Sequence, residues 1–372
     1  MNQKTPMRPI MPHGGNDNGA AQPHTRHDRE LIALMLASLA LLILLLVLFL
    51  PGAWQRANAD AAAWDELHPN DRDQIDDDTL ANPLDDPSDP SNTVGANAEG
   101  KHYMPVTTDE TQIISESAID ATNAILVDLT SGEAVAQRLA DERIYPASMT
   151  KIMTVLVACE SLTTAELQTT FTMTEDIVSA AVNAGASRAG FEPGERVKLI
   201  DLLYGAALPS GADATAALAQ YLAGSEEKYV ALMNQRAEEI GLTQTHFVNA
   251  SGLHDGDHYS TVREIAALMA CAMDNPLCRQ LLSAASYTTA ATEQHPNGIT
   301  LYSTTFSRMS TTTFGSVSVV AGKTGYTEEA RFCLASLATR ADGREYILVT
   351  VGGSSKYAPV YDCDAVYGKY LF

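Results

Sequence analysis

Three short segments carry residue types suited to nucleophilic chemistry. The first is Pro146-Ala147-Ser148-Met149-Thr150-Lys151. A serine hydroxyl is a poor nucleophile until a base takes its proton. A lysine amine can be that base when burial or a neighbouring cation lowers its pKa. Ser148 and Lys151, three residues apart where a helix begins, share one helix face about one turn apart. The helix N-terminus adds a positive partial charge beside a developing oxyanion. The same residues also suit a plain N-cap serine beside a solvated lysine, so this segment alone decides little. The second segment, Lys323-Thr324-Gly325, lies at the end of a strand-like run. There a lysine offers fixed positive charge to a substrate carboxylate, Thr324 offers a hydrogen bond, and Gly325 admits a substrate backbone. A surface turn between strands fits as well. The third, Leu208-Pro209-Ser210-Gly211-Ala212-Asp213-Ala214, places Ser210 between two helices. Ser210 could shuttle a proton between Lys151, Ser148 and a leaving amine, or merely cap a helix.

These segments need elements to position them. Residues 124–129 (AILVDL) form a strand-like run, Thr130-Ser131-Gly132-Glu133 a turn, and residues 134–140 a returning strand. From Ser148 the pattern becomes helical, with Ile152, Met153, Leu156 and Val157 at helical spacing. Residues 199–208, 212–222, 226–240 and 261–273 also read as helices. Strands return at 317–320, 332–338 and 346–351, and an amphipathic helix closes the chain from about 360 to 371. Strands, a helical block, strands again and a last helix predict an α+β fold. A single antiparallel sheet is drawn from both ends of a region beginning at Ile113.

The residues before that region differ in kind. Residues 31–50 are apolar except for Ser38, and about 30 Å of helix would match a bilayer core. Arg26 and Arg29 precede the run, and Asp60, Asp65 and Glu66 follow it. The positive-inside rule then puts a tail of residues 1–30 in the cytoplasm and the remainder outside. A cleaved signal peptide with Ala57-Asn58-Ala59 at its end, and secretion, is the competing reading. The apolar run is longer than a usual signal core and favours an uncleaved anchor. From Asp60 to Glu99 there are twelve acidic residues against one arginine, with four prolines, which predicts a solvated tether over 51–112. Asp76-Asp77-Asp78 has no calcium-loop spacing after it. The chain of 372 residues carries a net charge of −22, which argues against a nucleic-acid partner. Its five cysteines form no disulfide framework and no zinc pair. Cys271 and Cys278 flank a helix-breaking Asp274-Asn275-Pro276, and all five cysteines are expected as free, largely buried thiols.

Together the three segments resemble the S-x-x-K, S-x-N and K-T-G boxes of penicillin-interacting serine enzymes. Tyr145-Pro146-Ala147-Ser148-Met149-Thr150-Lys151-Ile152-Met153-Thr154 is similar to the active-site box of low-molecular-mass penicillin-binding proteins that are D-alanyl-D-alanine carboxypeptidases. Residues 201–205 (DLLYG), 245–255 (THFVNASGLHD) and 258–261 (HYST) match that family too. The resemblance covers about 113–372 and implies a β-lactamase/transpeptidase-like fold with a helical subdomain. It implies Ser148 as acylated nucleophile, Lys151 as its base and Ser210 as proton shuttle. Lys323, Thr324 and Gly325 would bind the substrate and its terminal carboxylate, and the N–H groups of Ser148 and Tyr326 would form the oxyanion hole. The implied substrate is a peptidoglycan stem peptide ending in D-Ala-D-Ala. β-Lactams are implied as covalent inhibitors, and no metal or cofactor is implied. His254, Asp255, Asp257 and His258 are metal-ligand types, but their match is to a structural loop of the family.

Two departures stand out. The family carries asparagine where this chain has Ala212, which puts rate and specificity in question but not the nucleophile–base pair. Asp213, next in sequence, would point elsewhere. Many family members also add a β-rich domain and a C-terminal membrane helix. Here the sequence ends at Phe372, so the expected anchor is the span at 31–50. A serine β-lactamase, which needs a dedicated deacylating base, is one alternative. A catalytically weak penicillin- or peptidoglycan-binding protein is another.

Overall fold

The computed structural model describes residues 101–371. The expected tail, membrane span and most of the acidic tether lie outside the described residues. Among those described, no helix is long and apolar enough to cross a membrane.

Seven strands form the central sheet: β1 (Gln112–Ile113), β2 (Asn123–Asp128), β3 (Glu133–Arg138), β8 (Thr313–Phe314), β9 (Val317–Thr327), β10 (Arg331–Arg340) and β11 (Glu345–Gly353). The two-stranded sheets β4 (Thr170–Thr172)–β5 (Arg196–Lys198) and β6 (Ser286–Thr288)–β7 (Thr300–Tyr302) stand apart from it. The order in the sheet is β1-β3-β2-β11-β10-β9-β8, so strands from both ends of the region meet where β2 pairs with β11. Most pairings are antiparallel, but β1 runs parallel to β3, so the sheet is mixed rather than purely antiparallel as expected. The cause is that β1 enters across the outer edge of β3 and does not turn back in a hairpin.

Alternation along the strands explains why both faces are buried. Ile125 and Val127 of β2, with Ile347 and Val349 of β11, face the helical block. Ala124 and Leu126, with Tyr346 and Leu348, face the C-terminal helix. A strand covered on both faces reads as a continuous apolar run, as residues 124–127 do.

The helices are α1 (Lys151–Ser161), α2 (Glu175–Asn183), α3 (Leu199–Ala207), α4 (Ala212–Ala223), α5 (Glu226–Glu239), α6 (Val262–Asp274), α7 (Pro276–Ser283) and α8 (Ala358–Tyr370). α1 is apolar nearly all round, and every residue from Lys151 to Cys159 is buried. Such a helix belongs in a core. α1 therefore fixes its first residue, Lys151, deep in the molecule. α8 lays Cys363, Val366, Tyr367 and Tyr370 on the opposite face of the sheet.

Two boundaries differ from expectation. Order begins before residue 113: the Val106 N–H donates to the Gly132 carbonyl at 2.9 Å, and Tyr103 Oη donates to Asp274 at 3.0 Å. Acidic composition hid this, because the anchoring contacts are made to residues far along the chain. The last strand-like run before the K-T-G triplet also does not stop at Val320. β9 continues through Lys323, Thr324 and Gly325, since pairing of Thr324 with Leu334 of β10 overrides local propensity. All five cysteines are buried thiols.

Candidate active site

The chain turns sharply just before Ser148. Ala147 adopts φ 47°, and residues Ala147–Thr150 form one 3₁₀ turn that runs straight into α1. Side chains three apart eclipse in such a turn. Lys151 Nζ accordingly lies 3.1 Å from Ser148 Oγ. The same ammonium nitrogen donates to the Ser251 carbonyl at 2.5 Å. Ser148 is half-buried at the edge of a cleft of about 290 Å³. Burial lowers the Lys151 pKa to about 7 against the opposing pull of the Asp213 carboxylate. Near neutral pH the unprotonated form of this lysine, able to accept the Ser148 proton, is thus within reach.

β9 runs alongside the Ser148 turn. A Cβ on Gly325 would lie 3.1 Å from both Ala147 Cβ and the Ser148 nitrogen. The nearest neighbours of that Cβ position belong to the protein's own Pro146–Ser148 turn. Glycine here lets strand and turn approach. Thr324 Oγ1 shares a 2.7 Å hydrogen bond with Thr304 Oγ1 at the cleft wall. Lys323 is buried behind it and donates to the Thr324 carbonyl at 3.1 Å. Burial first, then the Lys151 and Arg308 cations, hold its pKa well below the usual lysine range. An arriving carboxylate would oppose that shift and favour the protonated, positively charged form. Tyr326 is half exposed at the rim, its ring 4.4 Å from that of Phe332.

Ser210 stands at φ 66°, and its buried Oγ has no hydrogen-bond partner. It lines the same cleft as Ser148, Lys151, Thr324, Gly325 and Tyr326. Three segments far apart in the chain thus converge on one cavity.

A family model described as D-alanyl-D-alanine carboxypeptidase, peptidase family S11, matches residues 110–355. This chain belongs to that family. It is similar to the D-alanyl-D-alanine carboxypeptidase DacF of Bacillus subtilis, 34% identical over 248 residues, which cover 65% of this chain and 59% of the relative. It is similar to DacA of Escherichia coli at 32% identity over 255 residues, covering 66% of this chain and 59% of that one. The chain therefore spans about three fifths of the length of these relatives. Among solved structures, a Streptomyces DD-transpeptidase superposes with a TM-score of 0.62 at 28% identity, covering 69% of this chain and 99% of the other. A D-alanyl-D-alanine carboxypeptidase of Mycobacterium tuberculosis gives a TM-score of 0.60 at 26% identity, covering 71% and 94%.

In this D-alanyl-D-alanine carboxypeptidase family member the second box departs from the family pattern at Ala212. That residue opens α4, and its N–H donates to the Ser187 carbonyl at 2.8 Å. Its methyl group lines the cleft, so no amide reaches Lys151 from this position. Asp213 points elsewhere, as expected: its carboxylate accepts from the N–H groups of Ala189 at 2.8 Å and Gly190 at 3.1 Å. It anchors the 187–190 segment and acts on Lys151 only through its charge.

Two further groups were missed from sequence. Arg308 lines the cleft, beside Lys323 in charge, and its buried Nη1 has no hydrogen-bond partner. Burial lowers its pKa, but a guanidinium stays charged at neutral pH. Arg308 therefore adds a positive charge to the cleft wall. Asn249 was noted only as part of a matching run. Its Oδ1 accepts from Ser251 N at 3.2 Å, Ser251 Oγ at 3.1 Å and Gly252 N at 2.7 Å. That turn aims the Ser251 carbonyl at Lys151. Gly252, at φ 80°, leaves no room for a side chain, because a Cβ there would lie 1.9 Å from the Ala147 oxygen. The Asx-turn signal of Asn249 was readable, whereas nothing local marks Arg308. Of the metal-ligand types in this loop, His254 pairs with Glu329 at 3.6 Å and Asp255 accepts from the Asp257 N–H at 2.8 Å. Among the described residues no cluster of His, Cys, Asp or Glu is arranged to hold a metal.

Proposed function

We propose that this protein is a serine D-Ala-D-Ala carboxypeptidase that removes the terminal D-alanine from peptidoglycan stem peptides through an acyl-enzyme on Ser148. The observation that carries the reading is the 3.1 Å contact between Ser148 Oγ and a buried lysine whose pKa is lowered to about 7. Neutral Lys151 takes the hydroxyl proton as Oγ attacks the carbonyl of the penultimate D-alanine. The oxyanion forms against the N–H groups of Ser148 and Tyr326, where no solvent reorganisation is needed. Ser210 passes a proton toward the departing D-alanine amine, and the C–N bond breaks. Water then attacks the ester, with Lys151 again as base, and returns Ser148. Arg308 and Lys323 receive the carboxylate of the terminal D-alanine, a charge-assisted contact that selects for a free C-terminus.

The apolar run at 31–50 supports a membrane anchor with the catalytic domain outside the cytoplasm. β-Lactams would acylate Ser148 as they imitate the substrate's acyl group. Intact mass after incubation with a labelled penicillin, with the modified peptide mapped, tests the assignment together with release of D-alanine from a D-Ala-D-Ala peptide. A single adduct on Ser148 and D-alanine release are expected. Labelling elsewhere, or labelling that survives Ser148→Ala, would refute it. Rapid turnover of nitrocefin would move the reading to a β-lactamase.

A further inference from the structure

The loop of residues 246–259 is closed at its base by paired backbone bonds. His246 N donates to the Tyr259 carbonyl at 2.9 Å and Tyr259 N to the His246 carbonyl at 3.0 Å. His258 sits beside this closure and is buried, with its ring edge-on to Phe247 at 5.6 Å. The Val248 N–H donates to His258 Nδ1 at 3.1 Å. A ring nitrogen that accepts carries no proton, so the neutral imidazole holds its proton on Nε2. Nε2 lies 2.7 Å from Thr150 Oγ1, and in this tautomer it is the donor. Thr150 ends the 3₁₀ turn of Ser148 and directly precedes Lys151.

We propose that His258 is a positioning residue for acylation, fixing Thr150 and through it the separation of Ser148 Oγ from Lys151 Nζ. The inference rests on the reading of Ser148 as nucleophile. Its logic is that of a strut. The nucleophile turn is short, and a rigid neighbour must hold it while Oγ changes partners. The loop that carries His258 also supplies the Ser251 carbonyl to Lys151, so one element sets both ends of the Ser148–Lys151 pair. Burial holds the His258 pKa down to about 4; Asp255 opposes this, while His246, His254 and Lys151 reinforce it. The ring stays neutral across the working range. A second ring proton would set a donor against the Val248 N–H and break the arrangement.

Two substitutions separate the two ring contacts. His258→Gln keeps an N–H donor near the Nε2 position, whereas His258→Asn keeps an acceptor near Nδ1 and loses the reach to Thr150. Acylation by a fluorescent penicillin, and kcat and KM on a D-Ala-D-Ala peptide, are measured on the full chain. His258→Asn and Thr150→Val are each expected to slow acylation about tenfold or more, as small misplacements of reacting groups do, with KM little changed. His258→Gln should recover most of the rate. The double variant Thr150→Val/His258→Asn should be no slower than the single ones. Equal loss in the asparagine and glutamine variants, or a wild-type rate in Thr150→Val, would overturn the proposal. If His258→Asn fails to fold by circular dichroism, Thr150→Val alone decides it. Ser148→Ala runs beside these. Label on that protein would refute the nucleophile assignment, a failure distinct from that of the strut.

Discussion

The wall of the cleft made by loop 246–259 directs its polar atoms at the protein itself, while the wall made by Ser210, Ala212 and Arg308 does not. Asn249 Oδ1 receives three donors, and the Ser251 carbonyl receives Lys151. Ser210 Oγ and Arg308 Nη1 are buried and have no hydrogen-bond partner in the protein. An unmatched buried polar group costs about 1–3 kcal/mol, a penalty that a ligand entering the cleft would relieve. On the proposed reading the contrast divides the labour: one wall would hold geometry, and the other would recognise a guest.

The sharpest way to break this division is at the shared lysine. Lys151→Ala is expected to lower acylation by about a thousandfold or more, because no second base lies beside Ser148. Stopped-flow labelling with a penicillin checks this, and a protein retaining a tenth of the rate would show that the geometric wall is not essential. The same residue sets the pH dependence. Lys151 must be neutral to accept a proton, so kcat/KM should rise with pH and level off above about 7. A profile flat from pH 5 to 9 would contradict the lowered pKa.

The recognising wall is tested next. Arg308→Gln removes a charge-assisted contact worth about 1.5–3 kcal/mol, or roughly 10- to 100-fold in kcat/KM. The loss should appear mainly in KM, and should vanish for a substrate amidated at its C-terminus. Equal losses on acid and amide would separate Arg308 from carboxylate binding. Ala212→Asn is the mildest change. It restores one neutral hydrogen bond, worth about 0.5–1.5 kcal/mol, and should alter kcat/KM on a D-Ala-D-Ala peptide about two- to tenfold. A wild type without turnover beside a highly active asparagine variant would make this chain a binder rather than an enzyme.

The saturated wall and the open wall were unequally legible in the sequence. The Ser148–Lys151 spacing encodes its own contact, because residues three apart meet in any tight helical turn. The long apolar runs at 124–129 and 152–159 likewise declare buried elements by themselves. The two-stranded sheets β4–β5 and β6–β7 have three-residue strands, too short for a period to show. α7 opens on Pro276, which the sequence marks only as a helix breaker, and Asn275 caps it by accepting from the N–H groups of Leu277 and Cys278. Arg308 was invisible because its place beside Lys323 depends on how a 3₁₀ turn at Phe306–Arg308 docks near β9. Contacts closed by the whole fold leave no local pattern to read.

Ala147 and Ser210 are two of only four non-glycine residues with positive φ among those described, and they flank the two serines' work. A left-handed backbone at such a residue stores on the order of 1–3 kcal/mol. The cleft is therefore a loaded spring in the resting protein, kept under tension by the surrounding core. Selection for heat tolerance alone would tend to relax those two positions, and with them the pose that brings a hydroxyl to its base. Thermal endurance and catalytic readiness compete at the same two peptide units.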